Sequence, residues 1–208
     1  MLRLPRVYPL TDVGITGLSH AEQVSRLSDG GASLVQLREK KLRPRDFYEQ
    51  AKAALAVAHS RKVLLIINDR VDLALALQAD GVHLGQDDLP PEAARTLLGP
   101  QAIIGFSTHT LEQARKAATL PIDYLAIGPI FRTATKADTA PVVGLAGLKS
   151  VRGAVGNLPL VAIGGITSAN AQDVVEAGAD SVAMISALLS SRSIADCTRA
   201  LLLSLELL

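Results

Sequence analysis

The chain has 208 residues, 49% of them hydrophobic, enough to bury one sizeable core and to fill one domain spanning 1–208. Its 21 Lys and Arg balance 20 Asp and Glu, so no global field draws it to nucleic acid or to an anionic membrane; 3% aromatics and no Trp leave few stacking platforms for a single-strand binder. A lone cysteine, Cys197, excludes an internal disulfide and suits packing, and the start "MLRLPRVYPLTD" holds no signal-length apolar stretch, so the expected location is cytoplasmic.

Short aliphatic or β-branched runs alternate with longer segments at helical period throughout. In chain order the expected strands are "RVYPLT" (6–11), "SLVQLR" (33–38), "VLLIIN" (63–68), "GVHLG" (81–85), "AIIGFS" (102–107), "YLAIG" (124–128), "PLVAIG" (159–164) and "SVAMIS" (181–186). Amphipathic stretches such as "RDFYEQAKAALAVAHS" and "NAQDVVEAGA" lie between them and start on Ser, Asp, Asn or Pro. The terminal "ALLLSLELL" is too short to span a bilayer and is expected to be a last helix closing on the core. "DGGASLVQL", "QADGVHL" and "EAGADSVAM" repeat a glycine-containing helix exit into a strand, the punctuation of serial αβ units. Eight such units without a linker predict a single (β/α)8 TIM barrel; a dinucleotide-type open sheet would carry a glycine fingerprint after its first strand, and none is present.

In such a barrel, polar residues at the C-terminal tips of strands face the mouth. Gln36, Arg38 and Lys40 share one parity of "LVQLREK" while Val35 and Leu37 share the other, so the polar three point to the mouth and the apolar pair to the helices. Asn68 and Asp69 end the third strand, and Asp87 and Asp88 follow the fourth. Two carboxylates at adjacent tips suit Mg2+, which takes oxygen ligands and completes its shell with water and phosphate. Asp69 and Asp88 also stand where helix N-caps would, so both readings remain open from these residues alone.

The longest loop, "GPIFRTATKADTAPVVGL" (128–145), carries Thr133, Thr135 and Lys136, hydroxyls and an ammonium suited to phosphate oxygens. Gly164, Gly165, Ile185 and Ser186 end the last two strands, where barrels commonly bind phosphate; the glycines alone would equally serve a tight turn. The four histidines (20, 59, 83 and 109) lack paired metal spacing, so zinc is not expected. His59 is expected on a helix surface, and His83 and His109 are within reach of the mouth.

The segments "VQLREK", "INDRVDLALALQADGVHLGQDDLP", "IIGFSTHT", "YLAIGPIFRTATKAD", "AIGGI" and "AGADSVAMIS", in this order over nearly the whole chain, resemble the thiamine phosphate synthase family. The resemblance implies a transferase that joins a hydroxymethylpyrimidine diphosphate to a thiazole phosphate and releases pyrophosphate. It implies that Gln36, Leu37, Arg38, Glu39, Lys40, Asn68, Ser107 and Lys136 hold the pyrimidine diphosphate, with Arg38, Lys40 and Lys136 catalytic. It further implies Asp69 and Asp88 as Mg2+ ligands, and Thr133, Thr135, Gly165, Ile185 and Ser186 around the thiazole phosphate. The expected partners are these two small molecules and, at most, further copies of the chain. Arg132 and the "TAPVVGL" ending depart from the family pattern and leave the loop's contacts open. Two rivals stand beside this reading: a thiazole tautomerase, which would recruit His109 and need no diphosphate machinery, and a non-catalytic sensor of thiamine phosphates.

Overall fold

A computed structural model describes residues 2–133 and 141–206. Among the described residues, eight parallel strands form one sheet: β1 (Val7–Pro9), β2 (Leu34–Leu37), β3 (Leu64–Asn68), β4 (Gly81–Leu84), β5 (Ile103–Thr108), β6 (Tyr124–Ile127), β7 (Leu160–Ile163) and β8 (Ser181–Met184). Each lies within one of the eight expected runs, apart from a one-residue extension of β5. The order β1-β8-β7-β6-β5-β4-β3-β2 pairs consecutive strands from β2 to β8 and sets β1 beside β8. The remaining seam, between β1 and β2, is joined by the Leu10–Gln36 bridge and by Thr11 N–H donating to Gln36 O at 2.9 Å. The expected barrel is therefore present, with a thinner join at that seam.

The helices are α1 (Val13–Thr16), α2 (His20–Asp29), α3 (Pro44–Ser60), α4 (Val71–Leu77), α5 (Pro91–Leu98), α6 (Leu111–Ala117), α7 (Gly144–Val155), α8 (Ala171–Glu176), α9 (Ser186–Leu189) and α10 (Ile194–Glu206). Alternation along each strand builds two cores. Tyr8, Leu34, Ile66, Tyr124, Val161 and Ala183 point inward and fill the barrel. Val35, Leu65, Ile67, Val82, Leu125 and Val182 point outward, fully buried beneath the helices, and each aliphatic of this kind contributes about 1.5–3 kcal/mol. Leu201 and Leu205 seal α10 onto this outer core, Cys197 packs half-buried with Sγ 3.7 Å from Ala187 O, and His59 is exposed. No helix among the described residues is long and apolar enough to cross a membrane.

A second repeat, built on aspartates, lies at the bottom of the barrel. Asp80, Asp123 and Asp180 each precede an even strand and each accepts, at 2.8 Å, a backbone N–H from the first or second residue of the preceding odd strand: Leu65, Ile104 and Leu160. Two of the three are held by an arginine from the helix ring, Arg95 on Asp123 and Arg152 on Asp180, both at 2.7 Å. A strand start that would otherwise leave a donor unpaired is satisfied this way at three of four quarter turns.

Candidate active site

The tip of β2 delivers charge to the mouth. Arg38 Nη1 lies 3.2 Å from Asp12 Oδ2, a carboxylate at the tip of β1, and Lys40 Nζ contacts Asp69 Oδ2 across the gap to β3. The opposite parity turns away. Leu37 is fully buried against the helices, so only its backbone could face a substrate. Glu39 also points elsewhere: Oε1 accepts the Lys41 and Leu42 N–H groups at 2.6 and 3.2 Å, and Oε2 lies 3.4 Å from Nε2 of the buried His20. His20 Nδ1 meets Thr11 Oγ1 at 2.7 Å, and that hydroxyl in turn accepts Arg38 N–H at 3.3 Å. Burial holds His20 below the usual imidazole range despite Glu39 nearby. Thr11, Asp12, His20 and Glu39 thus form the bracket that aims Arg38 and Lys40.

Asp69 and Asp88 are not helix caps. The N-cap positions of α4 and α5 are Arg70 and Pro90, neither with a side-chain cap bond. Asp69 instead occupies the left-handed region (φ 63°), with its N–H donating to His83 O at 2.8 Å, and this turn lifts its carboxylate off the strand. Asp88 Oδ2 accepts Gly85 N–H at 2.7 Å, folding the β4 loop back toward β3. Burial raises Asp88 above the ordinary carboxylate range, and the neighbouring Asp69 carboxylate adds to that while Gly85 N–H and Lys40 oppose it. Two carboxylates that close, already drawing the Lys40 ammonium, fit a hard cation that needs only one or two protein oxygens. Among the described residues there is no cluster of three or more His, Cys, Asp or Glu of the sort a transition metal would use.

Beneath this rim runs a continuous neutral hydrogen-bond chain. Gln36 Nε2 donates to Tyr8 Oη at 3.1 Å; Tyr8 and Tyr124 hydroxyls meet at 2.9 Å; Tyr124 Oη meets His83 Nδ1 at 2.9 Å; and His83 Nε2 meets Ser107 Oγ at 2.8 Å. Burial pushes both tyrosines well above the usual phenol range and brings His83 down to about 4, with Asp69 opposing the latter. The Ser107–His83 contact has the spacing of a nucleophile and its base, but a buried imidazole of such low basicity, backed by a phenol in place of a carboxylate, is a poor proton acceptor. Asn68 is buried beside this chain, paired across strands with His83. Tyr8 and Tyr124 went unnoticed in the sequence; the available signal was two of three tyrosines sitting on inward strand parity.

The far side of the mouth is built by β6, β7 and β8. Ile130 and Phe131 N–H groups donate to Ile163 O and Gly164 O, both at 2.9 Å, locking the start of the long loop onto the β7 turn. Gly164 (φ 101°) and Gly165 (φ 65°) are needed there twice over, since a Cβ would meet Pro129 Cα at 2.6 Å or Arg132 O at 2.5 Å. Ile185 and Ser186 open α9 beside them, and Thr133 is half-buried at the loop's near end. Thr135 and Lys136 lie outside the described residues. His109 Nδ1 donates to Gly128 O at 2.7 Å, which ties β5 to this loop.

The chain matches the family model described as thiamine monophosphate synthase over residues 7–188. It belongs to that family. It is 48% identical to the thiamine-phosphate synthase of Albidiferax ferrireducens over 192 residues, covering 92% of this chain and 87% of the relative, and 45% identical to that of Chloroflexus aurantiacus over 197 residues, covering 94% and 90%. Its structure resembles a thiamine phosphate pyrophosphorylase from Pyrococcus furiosus with a TM-score of 0.88 at 37% identity, covering 97% of this chain and 95% of that one. Orotidine 5'-phosphate decarboxylase from Pyrococcus horikoshii OT3, at 10% identity and a TM-score of 0.68, shares the fold alone.

Proposed function

We propose that this chain is a thiamine phosphate synthase, acting as one catalytic domain on soluble small molecules in the cytoplasm. The observation that carries the reading is the juxtaposition of Arg38, Lys40, Asp69 and Asp88 on one rim, over a floor of neutral donors and acceptors. The pyrimidine ring sits on the floor between Gln36, Asn68 and Ser107, and its diphosphate reaches up to the rim. Asp69 and Asp88 hold Mg2+, which when bound supplies positive charge to the diphosphate oxygens. Arg38 and Lys40, joined by Lys136, pair with the same oxygens as charge gathers on them. The bond from the pyrimidine methylene carbon to oxygen breaks, its electron pair leaves with pyrophosphate, and the thiazole nitrogen forms the new bond to that carbon. Thr133, Thr135, Gly165, Ile185 and Ser186 hold the thiazole phosphate close enough for this capture, so the acceleration comes from positioning and charge and needs no protein nucleophile.

Purified protein given both substrates should release pyrophosphate and form thiamine phosphate in equal amounts, and chelating the divalent cation should stop both. Isomerisation of the thiazole phosphate without pyrophosphate release would replace this reading with the tautomerase; saturable binding without any turnover would replace it with the sensor.

A further inference from the structure

The first turn of α2 carries two polar side chains where a helix packed on a sheet normally presents aliphatics. His20 and Gln23, three residues apart on one face, are both fully buried. Such burial persists only where hydrogen bonds offset it, and both side chains direct their polar atoms at the tips of β1 and β2. Gln23 Oε1 accepts Asp12 N–H at 2.9 Å while its amide nitrogen donates to Leu18 O at 2.9 Å, which clamps both ends of the connection from β1 to α2. Asp12 in turn holds Arg38. His20 reaches the other tip: Nδ1 meets the Thr11 hydroxyl at 2.7 Å, and Nε2, sealed from solvent, faces the Glu39 carboxylate at 3.4 Å. That carboxylate favours the proton on Nε2, which leaves Nδ1 to accept from Thr11; the other acceptor recorded for the Thr11 hydrogen, Gln36 O, is 3.4 Å away.

Glu39 then closes the turn that follows β2, with Oε1 accepting Lys41 and Leu42 N–H, and Lys40 sits inside that turn. The helix that supplies both side chains is itself fixed. Ser19 and Glu22 close a capping box around its first turn, and the Phe47 ring of α3 lies 5.9 Å from the His20 ring. Fully buried behind the strand tips, His20 and Gln23 touch no substrate, so any effect they have on the mouth passes through Thr11, Asp12 and Glu39.

We propose that His20 and Gln23 are positioning residues for the diphosphate: they hold Asp12 and Glu39, and through them the Arg38 and Lys40 cations, in the geometry that the leaving group meets. The inference rests on the coupling reading above and extends it from the rim to the helix behind it. Arginine and lysine lose rotamer freedom when they pair with a ligand, and a cation already held in place loses less. Freeing one such side chain therefore weakens binding by roughly threefold to tenfold.

The test measures the KM for each substrate, and the dissociation constant of pyrophosphate in the presence of Mg2+, for the parent, Gln23→Met, His20→Leu, His20→Asn and His20→Gln, with thermal unfolding as the folding control. His20→Leu and Gln23→Met should each raise the KM for the pyrimidine diphosphate and the pyrophosphate dissociation constant by about threefold to tenfold, with the KM for thiazole phosphate unchanged. His20→Asn or His20→Gln, which place an amide near the positions of Nδ1 and Nε2, should recover part of the loss. In an Arg38→Met background, Gln23→Met should cost pyrophosphate affinity nothing further, because its route to the ligand is already gone. A lowered Tm with both KM values unchanged, equal rises for the two substrates, recovery by neither amide, or full additivity with Arg38→Met overturns the proposal. Should the variants not fold, proton–nitrogen correlation on isotope-labelled parent protein decides: a proton on His20 Nε2 supports the link to Glu39, and its absence overturns it. A parent that binds pyrophosphate with Mg2+ but forms no thiamine phosphate overturns the coupling reading and leaves the pyrophosphate affinities to decide the positioning, whereas an active parent whose variants keep its pyrophosphate affinity overturns the positioning alone.

Discussion

Replacing Asp69 by glycine and, separately, by alanine divides its chemical role from its backbone strain. At φ 63° a residue with a Cβ pays about 1–2 kcal/mol that glycine does not. Alanine recovers about 0.4–1 kcal/mol by restricting the unfolded chain. Both variants lose the same Lys40 ion pair, a half-exposed contact of about 0–1 kcal/mol, so it cancels in the comparison. The glycine variant should therefore be the more stable by about 0–1.6 kcal/mol, near 0.8 at the middle of the ranges, where an ordinary loop position with negative φ would favour alanine. Urea unfolding of the metal-free proteins measures the difference, with equal slopes as the check that the unfolded states match. Both variants should lose pyrophosphate release by roughly a hundredfold or more, since the rim charge goes with the carboxylate. An alanine variant more stable than the glycine one refutes the backbone account; turnover above a tenth of the parent's in either variant refutes the assignment of Asp69 to the chemistry.

At the bottom of the barrel, Asp123→Ala strands the buried Ile104 N–H and frees Arg95, and should cost about 2–4 kcal/mol in chemical denaturation, with Asp123→Asn costing less because an amide oxygen still accepts; a loss under about 0.5 kcal/mol would remove the girdle role. Mg2+ with pyrophosphate should raise the parent's Tm, and Asp88→Asn should abolish the Mg2+-dependent part of that rise; an unchanged Mg2+ response would place the cation elsewhere. Acid should weaken the fold through His83, whose pKa burial lowers from 6.5 to about 4 despite the Asp69 carboxylate. Between those values the unfolded chain binds the proton and the folded one does not, so the contribution is complete above pH 6.5 and is lost as pH falls through that window. Its size is about 3 kcal/mol, read as the flattening of the stability profile in His83→Gln relative to the parent, and parallel profiles would refute it.

The eight strands were legible because each is a short aliphatic run bounded by glycine or a polar tip, and a parallel barrel buries both faces of every strand. The rim was legible for a related reason: Gln36, Arg38 and Lys40 interrupt that apolar code on one parity, and Asn68–Asp69 and Asp88 interrupt it at strand ends. Parity sends the Leu37 side chain outward whatever its neighbours do, which leaves only its backbone for the mouth. The Glu39–His20 contact was not legible, since His20 lies a helix away in sequence and the contact exists only once α2 is packed. The floor was invisible because it joins five strands: no local spacing links Tyr8 to Tyr124, 116 residues apart, and each tyrosine alone passes for an aromatic core residue. The capping alternative at Asp69 and Asp88 is removed because the N-cap positions fall one and two residues later, at Arg70 and Pro90.

The division between a charged rim and a neutral floor has an electrostatic logic of its own. Loss of pyrophosphate would leave positive charge on the pyrimidine and negative charge on the leaving oxygens, so the two ends of one substrate need opposite surroundings. A protonated histidine under the ring would oppose the cation, and burial keeps His83 neutral and both tyrosines protonated there. The rim cations meanwhile rest on carboxylates, Arg38 on Asp12 and Lys40 on Asp69. A fully buried pair would cost about 3–5 kcal/mol to break, but the Lys40 side chain is 50% exposed and its pair lies in the range of about 0–1 kcal/mol. On the proposed reading, an arriving diphosphate would take over Lys40 at little cost and free Asp69 for a cation. The ion pair would then hold these charges in neutral form until the substrate separates them.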